Sequence, residues 1–255
     1  KYSFISTELQ SETLEPDFIC AVDVADPQLL GDLAHYADKV DLCIDYHGTN
    51  VQYARHSLLD DTCSATAMLI RDVLAEMGVV MDTDMAACIY TGIATDTGCF
   101  NYANTTPASH LMAAEMMNFP IPFEMINHTM FDMKSRARVE LERMALRDMS
   151  FFLDDRCAVM AITNEMIAAS KACEDDLEGL AGIPRQIQGV WAGVTLRQKP
   201  DGGYKVSIRT DSHVNAAEVC SALGGGGHIR AAGCTLDLPL EQAIQLVVDT
   251  IEKQL

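Results

Sequence analysis

Two short apolar runs that each end on an aspartate constrain this chain most. Residues 18–22 (FICAV) run into Asp23, and residues 42–44 (LCI) run into Asp45. Runs this short and this uniformly apolar suit strands buried on both faces, as in a parallel sheet. Parallel neighbours need a crossover connection, and residues 27–37 between the two runs have the pattern of a crossover helix. The expected class is therefore α/β.

Helical spacing continues downstream. Ala65, Met68, Leu69, Val73 and Leu74 mark a helix over residues 62–77, with Asp61 or Thr62 as its cap and Gly78 as its stop. Asp82 caps a second helix that ends near Asp96. Residues 123–149, rich in Met, Arg and Glu, read as one long connecting helix. Beyond it the character changes. Residues 157–162 and 190–196 look like strands, and Pro200-Asp201-Gly202-Gly203 separates the latter from residues 204–209 as a hairpin would. A helix over 215–223, a strand near 234–236 and a terminal helix opened by Pro239 complete a smaller α/β domain on a mixed sheet. The expected organisation is a parallel-sheet domain over 1–130, a linker helix over 131–150 and a second domain over 151–255.

Composition narrows the function classes. With 49% hydrophobic residues the chain is globular. No apolar run approaches the roughly 20 residues a membrane span needs. The N-terminal stretch KYSFISTELQSETLEPD lacks the basic start and apolar core of a signal peptide. None of the nine cysteines forms a CxxC pair, and sites such as FICAVD, DLCIDY and AACIYT read as buried free thiols in a reducing cytoplasm. The formal charge of −19 argues against a binder of duplex DNA, which needs a basic face. It leaves room for a small nucleotide held by a few basic groups and metal ions.

Two constellations carry chemistry. Asp23, Asp45, His47 and Asp96 form the first, and three of them stand at or just past strand C-termini, the edge where ligands bind open α/β sheets. Hard divalent ions take carboxylates, with imidazole also suiting Mn²⁺. A pair of such ions about 3.5–4 Å apart can activate water and neutralise phosphoryl charge. Taken singly, any of these aspartates would more often cap a helix or make a turn. The second constellation is Gly224-Gly225-Gly226-Gly227-His228-Ile229-Arg230. Backbone N–H groups uncovered by Cβ atoms can approach a phosphate or a base, and Arg209 could add a bidentate phosphate contact. A flexible linker would be Ser-rich and lie between domains, whereas this run lies inside one.

Four stretches resemble the DHH phosphoesterases. AVDVADPQLLG is similar to the second motif of that family, DLCIDYHGTN to the third and YTGIATDTGCFNYANTTPASH to the fourth. SIRTDSHVNAAEVCSALGGGGHIRAAGCTL resembles the core of the DHH-associated C-terminal domain. The layout is closest in kind to the nanoRNase and pAp-phosphatase branch. The resemblance implies a metal-dependent hydrolase of short oligoribonucleotides, pAp or linear dinucleotides, with two Mn²⁺ ions as cofactor and Mg²⁺ as the alternative. Asp23 would bridge the metals, Asp96 would ligate the second, and His47 would contact the scissile phosphate. Asn50 would support the third motif and the substrate. Arg209, Gly225, Gly226, Gly227 and His228 would hold the nucleotide, and the cleft between the domains would be the active site. The inorganic pyrophosphatase branch lacks such a glycine loop.

The sequence departs from the family pattern in two places. The opening motif, of the form HxxPDxD, is absent, and some tens of upstream residues are expected to carry it. The usual Asp-His-His is here Asp45-Tyr46-His47, so Tyr46 stands at a metal-ligand position with a phenol that ionises only near pH 10. These two features define the alternative, a catalytically impaired nucleotide-binding or regulatory module of the same fold. The linker-helix methionines hint at a homodimer.

Overall fold

The computed structural model describes Tyr2 and residues 16–255, so the reading of a chain start without a leader falls largely outside it. The chain divides into two units, Lys1–Met133 and Lys134–Leu255. In the first, strands β1 (Cys20–Val22), β2 (Leu42–Asp45) and β3 (His56–Leu59) form a sheet in the order β1-β2-β3. Both pairings are parallel, with Ala21 opposite Cys43 and Asp45 opposite Leu59. The α/β class follows directly. Strand β3 carries neither an alternating nor an apolar pattern, so periodicity gave it no signal.

The connection between β1 and β2 is not the expected α-helix. Pro27–Lys39 is 3₁₀ in character and kinked at Gly31, whose φ is +56°. None of its residues is buried. A segment that buries no face gains little from a regular α geometry. The next helix, α1 (Thr66–Glu76), starts four residues later than its spacing predicts. Its expected cap is committed elsewhere: the N–H and hydroxyl of Thr62 both donate to Asp60 Oδ1, at 2.9 and 2.6 Å. Gly78 ends the segment with φ +68°. Helix α2 (Thr83–Asp96) is capped by Asp82, which accepts from Met85 N. At its crossing with α1, a Cβ on Gly92 would stand 2.6 Å from that of Ala67, so only glycine allows the approach. These two helices and α3 (Pro107–Met116) bury Met68, Ile89, Ile93, Ala113 and Met116 together.

The single linker helix over 131–150 does not form. Helix α4 (Phe123–Asn127) runs into a π-turn over His128–Asp132. Met133 is extended, and Ser135 then caps a separate helix α5 (Arg136–Arg147) by accepting from Arg138 N. That helix belongs to the second unit, where Leu141 and Ala145 pack with Met160, Ile162 and Leu180.

The second unit contains β4 (Ser150–Phe152), β5 (Cys157–Ile162), α6 (Asn164–Ser170), β6 (Ala192–Gln198), β7 (Tyr204–Thr210), α7 (Ala216–Ala222), β8 (Gly226–His228), β9 (Ala231–Leu236) and α8 (Leu240–Glu252). The six strands lie in the order β4-β5-β6-β7-β9-β8. Only β5 and β6 run parallel, so the sheet is mixed. Val194, Leu196, Val206 and Ile208 form its main core with residues of α7 and α8 such as Val219 and Val247. The glycine run, read as a loop, is in part the edge strand β8 paired with β9. No helix among the described residues is long and apolar enough to cross a membrane.

All nine cysteines are free. Cys43, Cys157, Cys220 and Cys234 are buried as expected, but Cys20, Cys88 and Cys173 are exposed. Cys20 shows why: it lies on an edge strand whose alternate residues face outward.

Candidate active site

Strand β1 hands the chain to Asp23, whose N–H donates to Ile44 O at 2.9 Å. Asp23 takes a left-handed backbone with φ +62°, a conformation Asp tolerates better than most side chains. Its Oδ1 accepts the hydroxyl of Thr66 at 2.7 Å, so the first turn of α1 holds this carboxylate in place. Nothing in the sequence marks Thr66 for the role.

Strand β2 ends in Asp45, which is fully buried. Its Oδ1 lies 2.7 Å from His47 Nδ1 and accepts the His47 backbone N–H at 3.2 Å. Its Oδ2 accepts from Asn50 Nδ2 at 2.7 Å. Burial pushes the Asp45 carboxyl up, but the hydrogen bonds from Asn50 and His47 outweigh it and hold the pKa below its ordinary value. Asp45 is thus a buried carboxylate that aims the imidazole. Asn50 is consumed in the same task, since its Oδ1 also accepts from Gln52 N at 2.7 Å. It braces the third motif, the supporting role that the resemblance implied.

Asp23, Asp45 and His47 each offer a ligand atom within 4.8 Å of the others. His47 Nδ1 stands 3.7 Å from Asp23 Oδ1. Asp96, the last residue of α2, is not in that tight group. It lines a cavity of about 400 Å³ together with Asp23, Thr66, Thr91 and Thr95. Asn104 fixes its backbone by donating to Asp96 O at 3.1 Å. Burial, and then the charge of Asp23, push the Asp96 carboxyl up to about 6, against a smaller opposing pull from His47. A half-buried carboxylate beside a second one is a donor set suited to a hard divalent cation. Asp23 in its group with Asp45 and His47, and Asp96 on the cavity it shares with Asp23, offer donors of the kind a divalent ion takes.

Tyr46 fits less well. Its ring centroid lies 4.3 Å from that of His47. Burial, followed by the carboxylates of Asp96, Asp23 and Asp45, pushes its phenol above the ordinary value. It is a neutral phenol at pH 7 and a poor ligand there.

The raised Asp96 has a consequence for stability. Its folded pKa of about 6 lies above the unfolded value, so its contribution is most favourable below about pH 4 and is lost as pH rises through 6. In metal-free buffer, Asp96→Asn is expected to raise the melting temperature at pH 7.5 by an amount equivalent to at most about 2 kcal/mol. At pH 4 the two proteins should melt together. Thermal denaturation at both pH values checks this, and equal melting at pH 7.5 would show that Asp96 ionises without cost.

On the second unit, antiparallel register aligns the expected nucleotide-binding residues. Arg209 of β7 is opposite Ala231 of β9, and Ala231 is opposite His228 of β8. Directly opposed residues on antiparallel strands face the same side, so Arg209 and His228 flank the small Ala231 on one face. His228 is exposed and Arg209 half-buried. The glycines divide by role. A Cβ on Gly225 would lie 2.2 Å from Gly233 O, and one on Gly227 2.6 Å from Ala232 Cα, whereas Gly226 has nothing within 4 Å. Two of the three are required by strand pairing, and Gly226 alone presents open backbone.

One unit thus carries a parallel sheet with Asp23, Asp45 and His47 gathered at its strand ends, and the other a mixed sheet with a glycine-rich edge, which is an α/β protein of the kind that the sequence motifs imply. The DHHA1 domain model matches residues 157–255. The bifunctional oligoribonuclease and PAP phosphatase NrnA of Thermus thermophilus is 33% identical over 83% of this chain and 64% of its own length. The probable NrnA of Streptococcus mutans is 23% identical over 89% of this chain and 72% of its own. The chain thus spans just under two thirds of the Thermus relative. The crystal structure of an exopolyphosphatase-related protein from Bacteroides fragilis shares the fold, with a TM-score of 0.83 over 94% of this chain and 72% of that one at 24% identity. Residues 157–255 thus match the DHHA1 domain, and most of the chain is similar to the NrnA proteins.

Proposed function

We propose that this protein is a metal-dependent phosphoesterase acting on short oligoribonucleotides, pAp or linear dinucleotides. The observation that carries the reading is the grouping of Asp23, Asp45 and His47 within 4.8 Å, beside a cavity that Asp23 and Asp96 share. The NrnA relatives support it by their named activities. Asp23 and Asp96 would hold divalent ions, Mn²⁺ by preference and Mg²⁺ as the alternative. When bound, such ions supply water activation and neutralise charge on the phosphoryl group. His47, aimed by Asp45, would donate a hydrogen bond to a phosphate oxygen. Tyr46 would remain a neutral wall of the site. Nine free thiols favour a reducing compartment, the cytoplasm.

Substrate length tests the reading. Arg209, His228 and the open backbone at Gly226 would hold the nucleotide portion, and the net charge of −19 offers no basic track for a long strand. Steady-state kinetics with Mn²⁺ on a ladder of RNAs should show dimers to pentamers cut and chains of twenty or more nucleotides spared. His228→Ala should raise KM for a dinucleotide about tenfold while kcat changes little, as for a residue that binds without touching the reacting atoms. Equal cleavage of long and short RNAs would end the proposal. Dinucleotide binding without hydrolysis under any divalent ion would instead favour the impaired-module alternative.

A further inference from the structure

Around the loop that follows β7 lies a cluster, built on Trp191 and His213, to which the sequence motifs give no role. The His213 ring lies on Trp191 with centroids 4.0 Å apart and planes within 9°. The Arg156 guanidinium carbon sits 4.5 Å from the centre of the same indole. His213 is held from its other end as well: Asp211 Oδ1 accepts its backbone N–H at 2.9 Å and lies 3.0 Å from its Nδ1. Asp211 is itself placed by Arg185 at 3.8 Å, and Arg230 donates to Asp211 O. Yet the His213 side chain is 50% exposed.

An exposed imidazole immobilised on one face and at its edge leaves its other face as a flat platform. Surface side chains ordinarily keep their rotamer freedom, because fixing them costs entropy. The same ring lines a cavity of about 520 Å³ whose wall also carries Arg230, Lys253 and Asn215. Arg230 is two residues beyond His228, and Asp211 two beyond Arg209. In a chain with 37 acidic and 18 basic residues, Arg156 over Trp191, Arg185 beside Asp211, and Arg230 and Lys253 on the cavity wall bring four cations to this region against the acids Asp211 and Glu218. Stacking on an aromatic face beside cations is how single-stranded nucleic acid is held without sequence readout.

We propose that this cavity is a nucleotide subsite, in which one base of a short oligonucleotide stacks on His213 and its phosphate meets Arg230 and Lys253. The inference rests on the proposed substrate class and adds where a base would sit. Asp211 and Trp191 are positioning residues for the platform. Glu218 on the same wall disfavours phosphate alone, so the base supplies the selectivity.

The test is binding by the whole chain in EDTA, where no turnover occurs, so a failure of the hydrolytic reading leaves it intact. Calorimetric titration with the dinucleotide pApA gives affinity, and emission from Trp191, the one tryptophan in the sequence, locates the contact. His213→Ala is expected to weaken pApA binding about five- to fiftyfold, the range of one base–aromatic stack. His213→Tyr, which keeps a flat ring, should restore most of it. An abasic analogue of the dinucleotide should bind wild type and His213→Ala alike. Binding of pApA by His213→Ala within twofold of wild type would overturn the proposal. So would an equal loss for the abasic analogue, which would assign His213 to phosphate binding or to general structure.

Discussion

Asp96→Ala is expected to lower Mn²⁺-supported hydrolysis of a dinucleotide by about 10³-fold or more, the equivalent of several kcal/mol of transition-state charge stabilisation. The argument is one of opposed effects. Asp96 costs the metal-free protein stability, because burial and Asp23 push its carboxyl up to about 6 and it is largely ionised at neutral pH. No hydrogen bond to its side chain among the described residues offsets that cost. Removing it should therefore stabilise the fold while removing activity, the trade-off expected where a site is built for a ligand. A structural aspartate such as Asp45 predicts the reverse, since its loss would strand the donors of His47 and Asn50. Parallel measurement of melting temperature and initial rate separates the two. Full turnover by Asp96→Ala would remove this residue from the chemistry, and a fall in melting temperature would make it a structural acid.

The aspartates were legible in the sequence because each follows a short apolar run or ends a capped helix, and those signals are local. Periodicity and turn chemistry likewise located α2, β5 and the β6–β7 hairpin. What failed was whatever depended on tertiary partners. The Pro27–Lys39 connection has a passable helical pattern, but none of its residues is buried, and burial is what would have made it α-helical. The continuous linker helix was broken by Ser135, a residue whose capping role competes with helix interior only once the chain turns there. The bracing of Asp23 by Thr66 joins residues on different elements, and no spacing rule encodes it, whereas the support of Asp45 by Asn50 lies within the third motif, where the resemblance implied it. The stack of Trp191 and His213 was invisible for the same reason, since each residue alone reads as an ordinary aromatic or polar position.

The glycine run offers the sharpest separation of fold from function. Gly225→Ala is expected to destabilise the second unit by about 1–3 kcal/mol, the usual cost of forcing atoms into a packed site. Its Cβ would stand 2.2 Å from Gly233 O and 2.7 Å from Cys234 Cα, so backbone must move and the pairing of β8 with β9 must open. Gly227 is bound by the same constraint and by its φ of +144°. Gly226→Ala meets nothing within 4 Å and should leave stability within about 0.5 kcal/mol of wild type. If substrate approaches the backbone there, that methyl should nonetheless weaken dinucleotide binding, because it covers the only one of these three glycines that faces open space. Denaturant unfolding and calorimetric titration of both variants decide the matter. Unchanged stability in Gly225→Ala would contradict the edge-strand geometry. Unchanged binding in Gly226→Ala would mean that the glycines serve strand packing alone, and that Arg209 and His228 hold the nucleotide without the backbone between them.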